Sequence, residues 1–387
     1  MKRYRFVTVV AMVTAGLLAL AAGAQGAAGS KKSSALPAKG DEHAGDWQKK
    51  WEDTLSAAKK EGEVLIYLNA PSGAREAISD AFYKKFGLKV GVVLGSGEML
   101  TSKLISEYQS GLHQVDLFMP GATSILRAGS HGIMARLEPM LILPEVRDPR
   151  NWLDNKLPYY DKGGVAFGYL AVTNPAIVYN SDLVKEGEIT SPSDLLKPQW
   201  KGQTVMYDPS VSGSGLSGSY FLTLEWGGNE KVFEYITAMI KKQDTIMTRE
   251  MGQQAEWVAR GKYKVALWPM LAPISQFMKA GAHLAAASIK EKERVGSSNG
   301  ALGAPAKPAH PNAAIVFINW YLSREGQAVV VKAMGAGSAR TDVSTEGVHP
   351  IYIPKPGLKY NIENEETTLL RPKFQKSLIK FITELNK

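Results

Sequence analysis

The sequence predicts an α/β protein built as two lobes, each with a sheet covered by helices. Three observations carry this reading. Short apolar runs of buried-strand type alternate with helical stretches from Asp46 to about Ala128. The pattern changes around Val172 to Asn180, and a second alternating block runs to about Ser298. Beyond an N-terminal export segment about 360 residues remain, which suits two lobes better than one core.

The chain opens on Lys2, Arg3 and Arg5, then an uncharged apolar run from Phe6 to about Ala22 that closes on Ala22-Gly23-Ala24. A basic start, an apolar run and a small-x-small site read as a cleavable signal peptide over residues 1–24. The mature chain is therefore expected in the periplasm. The alternative is an uncleaved anchor, since about 18 to 20 apolar residues just span a bilayer. No later stretch is comparably apolar. The chain has no cysteine, which excludes a lipid-modified cysteine, a disulfide framework and thiolate metal sites. Residues 25–45 are rich in Ala, Gly, Ser and Lys and lack periodicity, as a flexible leader does.

Asp46 caps a helix in which Trp47, Trp51, Leu55 and Ala58 recur at helical spacing up to Gly62. Val64 to Leu68 reads as a strand, followed by the loop Asn69-Ala70-Pro71-Ser72-Gly73 and a helix from Arg75 to Phe86. The unit repeats as strand Val90 to Leu94, turn Gly95-Ser96-Gly97 and helix Met99 to Ser110. A third strand, Val115 to Met119, leads into Pro120-Gly121-Ala122-Thr123-Ser124. Such alternation implies parallel βαβ units, whose ligands meet the loops after the strand carboxyl ends. These three loops carry small and hydroxyl-bearing residues with almost no charge.

The second block holds strand Thr204 to Tyr207, the loop Asp208 to Gly215 and a helix to about Leu224. Helix Lys231 to Lys241, strand Thr245 to Thr248, helix Gly252 to Arg260, strand Val265 to Trp268 and helix Ile274 to Ala280 follow. The chain then crosses back near Gly300 to Gly303 into helices from Asn312 and after Ser323. The tail carries Phe374, Leu378, Ile382 and Leu385 on an apolar helical face. Lobe 1 is expected to comprise 46–172 plus 303–387, and lobe 2 to comprise 173–302.

The formal charge is +9, and Lys2, Arg3 and Arg5 account for three of the 46 basic residues. The remaining 43 are dispersed against 37 acidic ones, without the basic stripe that nucleic-acid binding needs. Gly213-Ser214-Gly215-Leu216-Ser217-Gly218 matches a dinucleotide fingerprint by spacing. However, the loop before it is long, and Glu230 and Glu234, where a ribose-binding acid should stand, lie in a helical stretch. The segment's free backbone N–H groups suit an oxyanion or hydroxyl instead. The six histidines show no metal spacing, and no P-loop, nucleophile elbow or H-E-x-x-H motif occurs. No metal, cofactor or catalytic residue is therefore expected, with Asp208 the one plausible acid or base were the chain an enzyme.

Several motifs in order carry a family resemblance. They are Ala57 to Val64, Asn174-Pro175-Ala176-Ile177-Val178-Tyr179-Asn180, Asp194 to Gly202 before Asp208-Pro209, His310 to Ala314, Leu322 to Gln327 and Arg340-Thr341-Asp342-Val343. From Trp47 to Val343 the chain resembles the family-1 extracellular solute-binding proteins of ABC importers, in the ferric-iron-type branch. The resemblance implies a two-lobed type II periplasmic binding protein fold with two crossing hinge strands. It further implies a monomer that closes on a solute and presents it to an inner-membrane ABC permease. The iron binders of the branch carry a tandem tyrosine pair near the strand that here reads Val265 to Met270. None follows that strand, and Tyr159-Tyr160 lies before the crossover. Ferric iron needs hard anionic oxygen ligands, so an organic solute, anionic or partly apolar, is the expected cargo. Ferric iron is the alternative, as is a sensing partnership with a membrane receptor.

The ligand contacts are expected from Asn69, Ser72, Gly73, Ser96, Gly97, Thr123 and Ser124 on the first lobe. The second is expected to offer Asp208, Ser210, Ser212, Ser214, Arg249 and Trp268. Arg249 would meet an anion, or else form a solvated salt bridge. Trp268, with Met119, Met206 and Met270, would wall an apolar solute, or else cap the core.

Overall fold

The computed structural model describes residues 46–211, 213–297, 300–355 and 358–385. The expected signal peptide, the leader to residue 45 and Ser212 lie outside the described residues.

Helix α1 (Asp46–Glu61) buries Thr54 and Ala58 and turns its charged side chains to solvent. Then β1 (Glu63–Leu68), α2 (Ser72–Phe86), β2 (Lys89–Leu94), α3 (Gly97–Gln109), β3 (Leu117–Met119) and α4 (Ala122–Ser130) follow as βαβ units. β1 lies between β2 and β3 and runs parallel to both. Leu68 stands level with both Leu94 and Met119, so the three strands finish on one edge. Successive β1 side chains face opposite layers. Ile66 and Leu68 join a core with Phe82, Phe317 and Trp320, while Tyr67 joins Leu100, Leu104 and Phe118. A sheet covered on both faces needs apolar residues at every strand position.

After α5 (Pro144–Arg147) and β4 (Phe167–Gly168), the crossing strand β5 (Val172–Asn174) leads to β6 (Ile177–Asn180). The second lobe continues with β7 (Thr204–Tyr207), α6 (Ser214–Trp226), α7 (Asn229–Lys241), β8 (Ile246–Thr248), α8 (Met251–Ala259), β9 (Val265–Leu267), α9 (Leu271–Lys279) and β10 (Leu284–Ala286). Its strand order is β10-β6-β9-β7-β8. This sheet is mixed rather than parallel: β7 is parallel to β8 and β9, but β6 runs antiparallel to β9 and to β10. β10 therefore runs with β7, β8 and β9, and only β6, which enters from the crossover, is reversed.

The chain returns through β11 (Arg294–Gly296) and β12 (Ala301–Leu302). β11 pairs antiparallel with β5, setting Thr173 opposite Val295, and β12 pairs antiparallel with β4. These crossing strands link the lobes. The helices α10 (Pro311–Leu322) and α11 (Arg324–Met334) then pack on α1 and α2 in the first lobe.

β13 (Asn361–Ile362) adds to β11, and α12 (Glu365–Leu385) ends the described chain. The sequence assigns this tail to lobe 1, but its contacts lie elsewhere. Phe374, Leu378 and Ile382 enter the second-lobe core with Tyr220 and Ile236, and Phe381 stacks on Phe233 at 4.5 Å. Those aromatic rings on α6 and α7 offer the apolar surface that the tail's helical face needs.

Candidate ligand-binding site

The first-lobe residues gather at the shared edge of β1, β2 and β3. The loops are tied at that edge: the Asn69 N–H donates to the Met119 carbonyl at 3.4 Å and the Gly95 N–H to Leu68 at 3.2 Å. Ser96 caps α3, its Oγ accepting the Met99 N–H at 3.3 Å, and remains exposed. Gly97 lies against the loop after β3, since a Cβ there would stand 2.7 Å from Ser124 Oγ. The structure thus brings Gly97 and Ser124 together. Thr123 is exposed in the first turn of α4, which starts from Gly121 at φ +116°. Ser72 opens α2, and Gly73 beside it has open space around it. The side chain of Ser72 is outside the described residues.

The second-lobe residues form two pre-assembled groups at the ends of β7, β8 and β9. In one, the buried Asp208 carboxylate accepts the Ser210 N–H at 2.8 Å and the Ser210 hydroxyl at 2.6 Å on Oδ1. Its Oδ2 accepts Arg249 Nε at 2.8 Å. Burial pushes this carboxyl up, but the Ser210 and Arg249 hydrogen bonds outweigh it and hold it below the usual carboxylate range. The Arg249 side chain remains 67% exposed. Arg249 is therefore a neutralised partner of Asp208 rather than a bare guanidinium, which is the salt-bridge alternative. Among the described residues, its remaining donors have no hydrogen-bond partner.

In the other group, Ser214 at the start of α6 donates its hydroxyl to the Trp268 carbonyl at 2.7 Å. Trp268 is 1% exposed and adopts φ +52°, a conformation that costs a bulky residue about 1–2 kcal/mol. Its N–H donates to the Ala176 carbonyl at 2.6 Å. The fingerprint-like glycines are explained by the same packing. A Cβ on Gly215 would stand 2.5 Å from the Tyr207 carbonyl oxygen, and one on Gly218 would meet the Trp268 ring at 2.3 Å. Both glycines let α6 approach the strand ends closely.

Met119 and Met206 are buried in the core and offer no wall to a solute. Among the described residues, no hydrogen bond joins the first-lobe set to the second-lobe set. Tyr160 exchanges hydrogen bonds with Ser297 at 2.8 and 2.7 Å, and burial pushes its phenol up to about 12. Sequence reasoning missed Gly121 and Gln254. The buried Gln254 amide donates to the Leu267 carbonyl at 3.0 Å and the Val205 carbonyl at 3.3 Å, bracing the strand ends from below.

Residues 77–357 match the family of bacterial extracellular solute-binding proteins. The chain belongs to this family. Its members bind solutes and are not enzymes. A curated relative, the spermidine/putrescine-binding periplasmic protein 1 of Haemophilus influenzae, is 29% identical over 160 residues. That match covers 41% of this chain and 42% of the relative, so it spans under half of either protein.

Two solved structures are similar over most of the chain. One is the periplasmic binding protein AfuA from Actinobacillus pleuropneumoniae with exogenous fructose-6-phosphate bound. It is 20% identical, with a TM-score of 0.58 over 84% of this chain and 99% of that one. Iron-bound HitA from Pseudomonas aeruginosa is 18% identical, with a TM-score of 0.57 over 82% and 99%. The shared fold is that of two-lobed type II periplasmic binding proteins.

Proposed function

We propose that this chain captures an organic solute between its lobes in the periplasm and delivers it to an inner-membrane ABC permease. The carrying observation is the pair of polar chemistries at the strand carboxyl ends of the two lobes. Small hydroxyl-bearing loops stand on the first lobe, and two pre-assembled polar groups stand on the second. Crossing strands β5 and β11 supply a hinge, whose motion would close the loops on the solute and change the outline a permease reads. In this reading the lobe boundaries fall near residues 172–173, at the start of β5, and 302–303, at the end of β12.

The similar proteins bind spermidine and putrescine, fructose-6-phosphate and iron, so the fold accepts unlike cargoes. Here Asp208 already neutralises Arg249, which favours an organic solute held by hydroxyl, amide and backbone groups over a multiply charged one. Each such hydrogen bond contributes about 0.5–1.5 kcal/mol, and several together reach micromolar affinity, on the order of −8 kcal/mol. Tyr160 supports cargo other than ferric iron, because its phenol is engaged by Ser297 and kept protonated by burial.

Native mass spectrometry of the protein purified from its own periplasm tests this. One organic molecule per chain is expected, released on unfolding. Stoichiometric Fe³⁺ instead would overturn the choice of cargo, and an empty chain that binds no solute in a thermal-shift screen would overturn the function.

A further inference from the structure

A small cavity of about 40 Å³ lies beside the second-lobe group, lined among others by Trp268, Gly218, Phe221, Ile289, Glu291 and Glu293. It sits where crossing strand β11 meets the start of α6, and Ser214 lines it too. Three of its lining residues carry covered polar atoms without a hydrogen-bond partner among the described residues: Trp268 Nε1, Glu291 Oε2 and Glu293 Oε1. Trp268 and Glu291 are 1% and 7% exposed, and Glu293 is half-buried. The other oxygen of Glu291 is engaged, accepting Ser191 Oγ at 2.7 Å and Trp226 Nε1 at 3.1 Å. Leaving such groups unpaired costs about 1–3 kcal/mol each. The strained Trp268 backbone fixes the indole at this spot, over a glycine that leaves it room.

The three atoms define the chemistry of an occupant. An indole N–H only donates, and an ionised carboxylate only accepts. The occupant must therefore accept one hydrogen bond and donate others. An ammonium group accepts none. A phosphate or carboxylate would meet the carboxyl groups of Glu225, Glu291 and Glu293, while of the two cations in the lining Lys292 is exposed and Arg294 already pairs with Glu363. A hydroxyl both accepts and donates. The cavity has room for about two to three non-hydrogen atoms, the size of a hydroxymethyl group.

We propose that this cavity is a subsite for a hydroxyl group of the solute, so that the cargo is a neutral polyol or sugar-like molecule. The inference rests on the reading that a solute is held between the lobes, and it narrows that solute's class. Burial pushes the Glu293 carboxyl up to about 7. Near neutral pH it therefore exists in both protonation states, and a hydroxyl pairs with either. The remainder of the solute would extend past Ser214 toward the Asp208–Ser210 group.

Isothermal titration calorimetry with D-glucose, D-sorbitol and glycerol tests the proposal, with 1,4-diaminobutane and inorganic phosphate as charged comparisons. At least one polyol is expected to give saturable binding. Trp268→Phe keeps the ring over Gly218 but removes the donor, and it should weaken that binding at least tenfold. Glu293→Leu, which removes both carboxyl oxygens at similar size, should weaken it similarly, and thermal melting of both variants checks that they fold. No saturable heat with any polyol, or equal affinity in both variants, would overturn the subsite. A hydroxyl-free charged solute bound with unchanged affinity by both variants would overturn it too, yet leave capture between the lobes standing. Failure of that broader reading would show separately, as a natively purified chain that carries no solute.

Discussion

The two lobes present strand ends of opposite character. On the first lobe, Ser96 is exposed beyond its capping bond, Thr123 points outward and Gly73 has open space around it. On the second, Asp208, Ser210 and Arg249 are bonded to one another, and Ser214 is bonded to Trp268. One lobe holds its polar groups ready for a partner, while the other spends them on holding a shape. The contrast teaches that the second lobe is preorganised, so the proposed solute binding there would cost little further ordering. In that proposal the first lobe would close against it as a less committed surface.

The largest expected effects test whether each lobe has its own core. Phe82→Ala removes a ring 5.0 Å from Phe317 and 5.2 Å from Trp320 and should cost about 3–5 kcal/mol in urea unfolding. Leu378→Ala on the closing helix should cost about 2–5 kcal/mol. Amide exchange should accelerate mainly around α6 and α7 in the second variant. Acceleration confined to α1 and α2 would return the tail to the first lobe.

Gly218→Ala and Gly97→Ala compare the rigid and the open strand ends. The first places a Cβ against the Trp268 ring and should cost about 1–3 kcal/mol. The second meets only the movable tip of Ser124 and should cost under about 1 kcal/mol. Equal losses in thermal melting would contradict the contrast.

Asp208→Asn should cost about 1–2 kcal/mol, because Arg249 and Ser210 lose a charged acceptor. Asp208 is held below its ordinary value, so its stabilisation is present above the unfolded value of about 3.9 and is lost as pH falls through the lower folded one. The wild-type protein should therefore lose more stability than the variant below about pH 4. Glu293 acts in the opposite sense. Its raised carboxyl makes a contribution that is complete below about pH 4 and is lost as pH rises toward 7. Glu293→Gln should flatten stability across that window.

Much of the scaffold was legible because strand and helix periodicities differ so clearly. Val64 to Leu68, Val90 to Leu94 and Thr204 to Tyr207 all lie within strands, and the loops after them stand at the expected edges. The pairing of Arg249 with Asp208 was not legible, since they stand 41 positions apart and are brought together by the pairing of β7 with β8. Trp268 read as a strand end, but its positive φ and its contact with Gly218 depend on tertiary packing. Glu291 and Glu293 belong to no motif in the sequence, and only the fold brings both to one cavity. The tail's apolar face was visible in sequence, but which lobe it covers depends on rings 140 residues away, as between Phe233 and Phe374.

The most direct test is a crystal structure of the natively purified protein with its carried solute. We expect one organic molecule touching the loops at Asn69 and Ser96 together with Ser210 and Ser214. A solute bound to one lobe alone, with no atom near the other, would contradict the account.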